Sequence, residues 1–66
     1  MKFWIARDYN GELWLYDHKP VIDDLNFMFI YRGDDICKTS ELNGDLFPEV
    51  TFENSPKPVE IVIKEE

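Results

Sequence analysis

Lys2-Phe3-Trp4-Ile5-Ala6-Arg7-Asp8-Tyr9-Asn10-Gly11-Glu12-Leu13-Trp14-Leu15-Tyr16 is the stretch that decides the fold. Lys2 to Arg7 is rich in aromatic and β-branched side chains, and Glu12 to Tyr16 alternates. Asn10-Gly11 lies between them. Asn-Gly flanked by such runs is a strong hairpin signal, because a type I′ turn needs positive φ at both central residues. In the second strand Leu13 and Leu15 point one way and Trp14 and Tyr16 the other, since side chains alternate along a strand. Both faces carry apolar groups, so the strand is either covered on both sides or leaves one face as a binding platform.

Reading outward, Lys19-Pro20 closes the hairpin, and Asp23-Asp24 marks a loop. Asn26 to Arg32 predicts a third strand, with Phe27, Phe29 and Tyr31 on one face and Met28 and Ile30 on the other. Gly33-Asp34-Asp35 predicts a turn, and Ile36 to Lys38 a short strand pairing back on the third. Thr39 or Ser40 can cap one helical turn near 39–43, which Asn43-Gly44 then stops. Val50 to Phe52 predicts a further short strand, Asn54 to Pro58 a turn, and Val59 to Lys64 the last strand. The expectation is a mainly β single domain over residues 1–66, a small antiparallel sheet of four to five strands. Its core is expected from Phe3, Ile5, Leu13, Leu15, Phe27, Phe29, Leu46, Phe47, Val59, Ile61 and Ile63.

Sixty-six residues make a marginal core, and small domains lean on disulfides, metals, self-association or unusually rich packing. Cys37 is the only cysteine and His18 the only histidine, so the first two staples look weak. Aromatic residues form 15% of the chain, which favours packing. The opening Met1 to Arg7 turns polar too early for a signal peptide, and the longest apolar run, Phe27 to Tyr31, is far below the ~20 residues a membrane helix needs. A cytoplasmic protein without a membrane role is expected.

The net charge of −7 is concentrated in the middle third. Residues 23–49 hold Asp23, Asp24, Asp34, Asp35, Glu41, Asp45 and Glu49 against Arg32 and Lys38 only. These acids are either a solvated surface that keeps the chain soluble or an acidic face for a basic partner.

Leu46-Phe47-Pro48-Glu49-Val50-Thr51-Phe52-Glu53-Asn54-Ser55-Pro56, with Pro58-Val59-Glu60-Ile61 after it, resembles the ending of short uncharacterised proteins encoded by bacteria and their phages. Trp4-Ile5-Ala6-Arg7-Asp8, Gly11-Glu12-Leu13-Trp14-Leu15-Tyr16 and Lys19-Pro20 resemble the start of the same group. The stretches span about half the chain, and Phe52 stands where that group often has tryptophan. The resemblance implies a bacterial cytosolic or mobile-element setting and transfers no activity.

Four groups of residues invite chemistry and are better read otherwise. Gly33-Asp34-Asp35 spells a polymerase metal motif, but a chain this short lacks the cleft that motif serves. Asp8 to Glu12 looks like the start of a calcium loop, yet the glycine falls at the fourth place and no bidentate glutamate follows at the twelfth. His18 beside Asp17 has no nucleophile near it in sequence, and reads as a loop histidine. Cys37 has Lys38 beside it but also Asp34 and Asp35, so no electropositive setting activates the thiol. An aromatic platform for nucleic acid fails on charge, because seven cations against fourteen anions repel phosphate. No residue is assigned to catalysis, to a cofactor or to a metal. The function expected is a non-catalytic protein-binding module, a phage- or mobile-element-encoded modulator presenting an acidic face or an aromatic patch to a host protein. The residues named for it are Asp23, Asp24, Asp34, Asp35, Trp14 and Tyr16. The alternative is a structural protein that self-associates through its sheet, for example as a homodimer.

Overall fold

The computed structural model describes residues 2–62 and is mainly β, with no helix among them. Six strands follow in order: β1 (Lys2–Arg7), β2 (Leu13–Tyr16), β3 (Val21–Asp23), β4 (Met28–Ile30), β5 (Thr39–Leu42) and β6 (Lys57–Glu60). Four form an antiparallel sheet in the order β5-β2-β1-β6, and β3 with β4 forms a separate two-stranded hairpin. Trp4 pairs with Tyr16 and Arg7 with Leu13 in the N-terminal hairpin. Pro58 sits opposite Trp4 in β6, an edge strand, where a missing N–H is tolerated.

The first turn is longer than a two-residue type I′ turn. The Asp8 N–H donates to the Glu12 carbonyl at 2.8 Å, and the Gly11 N–H to the Asp8 carbonyl at 2.9 Å. Only Gly11 has positive φ there, at 94°. This is a type I turn closed by a left-handed glycine, the common three-residue alternative. Asn10 serves it through its side chain, whose Oδ1 accepts from the Glu12 N–H at 2.9 Å.

Six segments depart from expectation. Asp23-Asp24 was expected as loop, but Val21–Asp23 is a strand paired to β4, Val21 opposite Ile30. The third strand is shortened from 26–32 to Met28–Ile30 because Phe27 turns left-handed, φ 54°, to close the hairpin onto the Asp23 carbonyl. No helical turn forms at 39–43. Thr39–Leu42 is β5 instead, and it pairs with β2, Leu13 opposite Leu42. The open edge of β2 offers a ladder, which outweighs one isolated helical turn with no further hydrogen bonds to gain. Residues 36–38 and 50–52 are not strand, and β6 begins at Lys57, ahead of the expected Val59. Ile63 and Lys64 lie outside the described residues.

The four-stranded sheet is covered on both sides. Ile5, Leu13 and Val50 are buried on one face, with Leu15, Leu42 and Val59 packed against them. Ala6, Tyr16 and Phe29 are buried on the other, flanked by Trp4, Trp14, Cys37 and Phe52. Of the expected core, Ile5, Leu13 and Phe29 are buried, while Phe27, Leu46, Phe47 and Ile61 are exposed. Phe27 and Phe47 leave the core because positive φ at each, 54° and 48°, turns the chain away from extended geometry. Ala6, Tyr16, Pro20 and Val50 are buried in their stead.

Candidate functional site

The second hairpin is fastened to the main sheet through one residue's backbone. The Phe29 N–H donates to the Asp8 Oδ1 at 2.8 Å, and the Phe29 carbonyl accepts from the Tyr16 hydroxyl at 3.0 Å. Both contacts are buried. The Tyr9 N–H adds a bond to the Phe27 carbonyl at 3.2 Å. Burial raises the Asp8 carboxyl above its ordinary range, opposed by the Phe29 N–H and reinforced by the Glu12 charge. Burial likewise pushes the Tyr16 phenol up to about 12, helped by Asp8 and Cys37.

The other edge of the hairpin, along β3, pairs with no further strand among the described residues. Phe29 faces Ile22 across the β3–β4 pair. Since the Phe29 polar groups are turned outward to Asp8 and Tyr16, alternation turns those of Ile22 outward along β3. Beside that edge lies an open groove of about 600 Å³. Phe29 and Phe52 line it, with Val21 and Ile22 from one side and Ser55 and Pro56 from the other. The Phe29 and Phe52 rings meet edge-on at 5.8 Å. Phe52 in turn meets Tyr9 at 5.6 Å, and Tyr9 meets Phe27 at 5.7 Å. The aromatic file therefore runs from a buried ring to Tyr9, which is 72% exposed. Leu25, at 90%, protrudes from the hairpin tip.

The residues named from sequence are scattered about this hairpin. Asp23 ends β3, Asp24 lies in its loop, and Asp34 and Asp35 lie in the bend after β4. Asp23 is engaged by its own turn, accepting from the Leu25 N–H at 3.1 Å and the Asn26 amide at 2.8 Å. Those bonds, the Asn26 amide first, hold its carboxyl below the ordinary range. Asp24, Asp34 and Asp35 are exposed. Tyr16 is buried at 4% exposure, so its ring is a core element and not part of an exposed patch. Trp14 is half-buried and lines, with Tyr16, Tyr31 and the β4 residues, a smaller recess.

Two arrangements escaped sequence reasoning. Arg7 spends its whole guanidinium on carbonyls: Nε on Val50, Nη1 on Gly11 and Gly44, Nη2 on Leu46 and Phe47. The acceptors are backbone atoms, which no residue identity announces. Asp17, His18 and Cys37, judged separately in sequence, converge with their ligand atoms within 4.8 Å of one another. Asp17 Oδ1 lies 2.8 Å from the His18 Nδ1.

No protein-family model, no curated protein and no solved structure matches the chain. No helix among the described residues is long and apolar enough to cross a membrane.

Proposed function

We propose that the chain is a non-catalytic protein-binding module that takes an extended apolar segment of a partner into the groove beside β3. The observation that carries this reading is that the outer edge of β3 pairs with no strand among the described residues and that Val21 and Ile22 line a groove with Phe29 and Phe52. An added strand gains main-chain bonds from the Ile22 edge and drops alternate side chains onto aromatic rings. Phe27 supports the same reading. A bulky residue at φ 54° costs stability that Asn or Gly would spare, and its ring is half exposed beside Tyr9. The excess of acid, with Asp24, Asp34 and Asp35 exposed, favours a basic partner and speeds encounter with it. The resemblance to short bacterial and phage proteins supports a host protein as the partner and the cytoplasm as the setting.

Affinity capture from a bacterial lysate tests this with three chains. Ile22→Pro deletes the outward N–H without touching the β3–β4 ladder, and Phe52→Ala empties the groove. Substituting Asp23, Asp24, Asp34 and Asp35 with Asn removes the acids while Asn at 23 still accepts in the turn. The groove reading expects a specific partner of the parent to be lost from the first two and retained, more weakly, by the third. A partner kept by both groove variants ends the groove reading. Loss from the acid variant alone transfers the function to the acidic face. A second reading, self-association, is favoured by one observation: Phe3, Leu15, Leu42 and Val59 are only half buried on the sheet face that Val50 covers. Sedimentation at high micromolar concentration separates the two.

A further inference from the structure

The segment between β4 and β5 is held by little regular structure. Residues 31–38 form no strand. The Lys38 N–H donates to the Asp17 Oδ1 at 2.9 Å, and the Asp17 N–H reaches the Lys38 carbonyl at 3.3 Å. These bonds bring Cys37 against the end of β2, where Asp17 and His18 follow Tyr16. Asp17, His18 and Cys37 are all half-buried, and they are the one such group among the described residues.

We propose that Asp17, His18 and Cys37 form a binding site for a divalent zinc-class metal ion, tying the 31–38 segment to the end of β2. The donor set is a carboxylate, an imidazole and a thiol. A thiolate with an imidazole selects zinc-like ions over magnesium or calcium, which prefer all-oxygen sites. Tetrahedral zinc with bonds near 2.0–2.3 Å needs its ligand atoms roughly 3.3–3.6 Å apart. The three atoms already lie within 4.8 Å of one another, so closure asks for about an ångström of side-chain adjustment.

The ligands are also oriented in advance. Asp17 is held by the Lys38 N–H. The His18 ring rests on the Tyr31 ring, centroids 5.1 Å apart. Tyr31 in turn folds over Gly33, where any Cβ would collide with its ring. Asp35 Oδ2 lies 4.0 Å from the His18 Nε2, on the ring side away from Asp17, where a carboxylate orients a ligating imidazole. Metal entry replaces the Asp17–His18 hydrogen bond by two bonds to the ion: the neutral imidazole carries its proton on Nε2, facing Asp35, instead of on Nδ1, and the Cys37 thiol proton leaves to solvent. A small domain without a disulfide gains its missing staple this way. This site is separate from the groove and stands or falls independently of it.

Cobalt(II) titration of the full chain under reducing conditions tests the site. The expected result is a thiolate-to-cobalt charge-transfer band with intense visible bands of tetrahedral cobalt, saturating at one ion per chain and displaced by zinc. Cys37→Ser should abolish the charge-transfer band. His18→Gln and Asp35→Asn should each weaken cobalt binding by about 10-fold or more. Zinc should slow alkylation of Cys37 in the parent chain, a readout that needs no variant to fold, and should raise its thermal midpoint. Absence of the band at millimolar cobalt overturns the proposal. So does a band unchanged in His18→Gln, or a stoichiometry of one ion per two chains, which would report cysteines of two molecules sharing a metal.

Discussion

The Nε–H of Arg7 donates to the Val50 carbonyl at 2.6 Å, joining the end of the first strand to a residue 43 positions later. The two remaining guanidinium nitrogens close on Gly11, Gly44, Leu46 and Phe47. One planar fork thus gathers the first turn and the irregular 43–50 loop, and so sets Val50 against Ile5 and Leu13. The Arg7 backbone N–H fixes a further loop by donating to the Ser55 Oγ at 2.9 Å.

Arg7→Lys should therefore cost about 2–3 kcal/mol, because hydrogen bonds from a charged donor each contribute about 1.5–3 kcal/mol and an ammonium cannot span the fork. Urea unfolding followed by tryptophan fluorescence measures it. A lysine variant as stable as the parent would show that the carbonyls are equally well served by water.

Asp8→Asn and Asp8→Ala should separate. Asn keeps an acceptor for the Phe29 N–H, whereas Ala leaves that buried donor unpaired, at about 1–3 kcal/mol. The pH dependence follows from the raised carboxyl. The fold holds the Asp8 proton more tightly than the unfolded chain, so this contribution is complete below the unfolded value of 3.8 and is lost as pH rises through the higher folded value. Asp8→Asn should accordingly gain on the parent as pH rises from 3.8 toward neutrality. Unfolding at a series of pH values checks the slope.

Tyr16 should be the alkaline weak point. The fold prefers its neutral phenol, so the stabilisation is intact below pH 10 and is lost between pH 10 and about 12. Tyrosinate absorbance and far-ultraviolet circular dichroism should report a late ionisation coinciding with loss of structure. Tyr16→Phe should remove that coincidence, while leaving the Phe29 carbonyl without its donor.

Phe27→Asn should leave stability within about 1 kcal/mol of the parent, since relief at positive φ offsets the lost ring contact with Tyr9. Partner capture should nonetheless weaken. A variant that binds as the parent does would leave the exposed ring without a role in recognition.

Phe29→Ala and Ile61→Ala should differ sharply. Phe29 is buried between the hairpin and the sheet and should cost about 3–5 kcal/mol. Ile61, expected in the core from its alternation, is 46% exposed and should cost less than about 1 kcal/mol. Equal losses would mean that the strand after Pro58 is packed as its pattern suggests.

The mainly β character, the N-terminal hairpin about Asn10-Gly11 and the opposite faces of Leu13 and Trp14 are legible in the residues alone. These rest on local rules: a period of two along a strand and a turn needing positive φ. Tertiary structure alone decided the partner of each edge, so that Thr39–Leu42, unremarkable in its own pattern, became a strand because β2 had an unpaired ladder. It alone decided which aromatics are core, because a left-handed residue at Phe27 takes that ring out while Phe29, two residues on, stays buried. The groove beside β3 arises where segments more than 20 residues apart meet at Phe29 and Phe52. The Arg7 fork and the Asp17, His18 and Cys37 cluster arise in the same way. Local propensity acts over a few neighbouring residues, whereas hydrogen bonds and burial between distant segments are chosen only when the whole chain closes on itself.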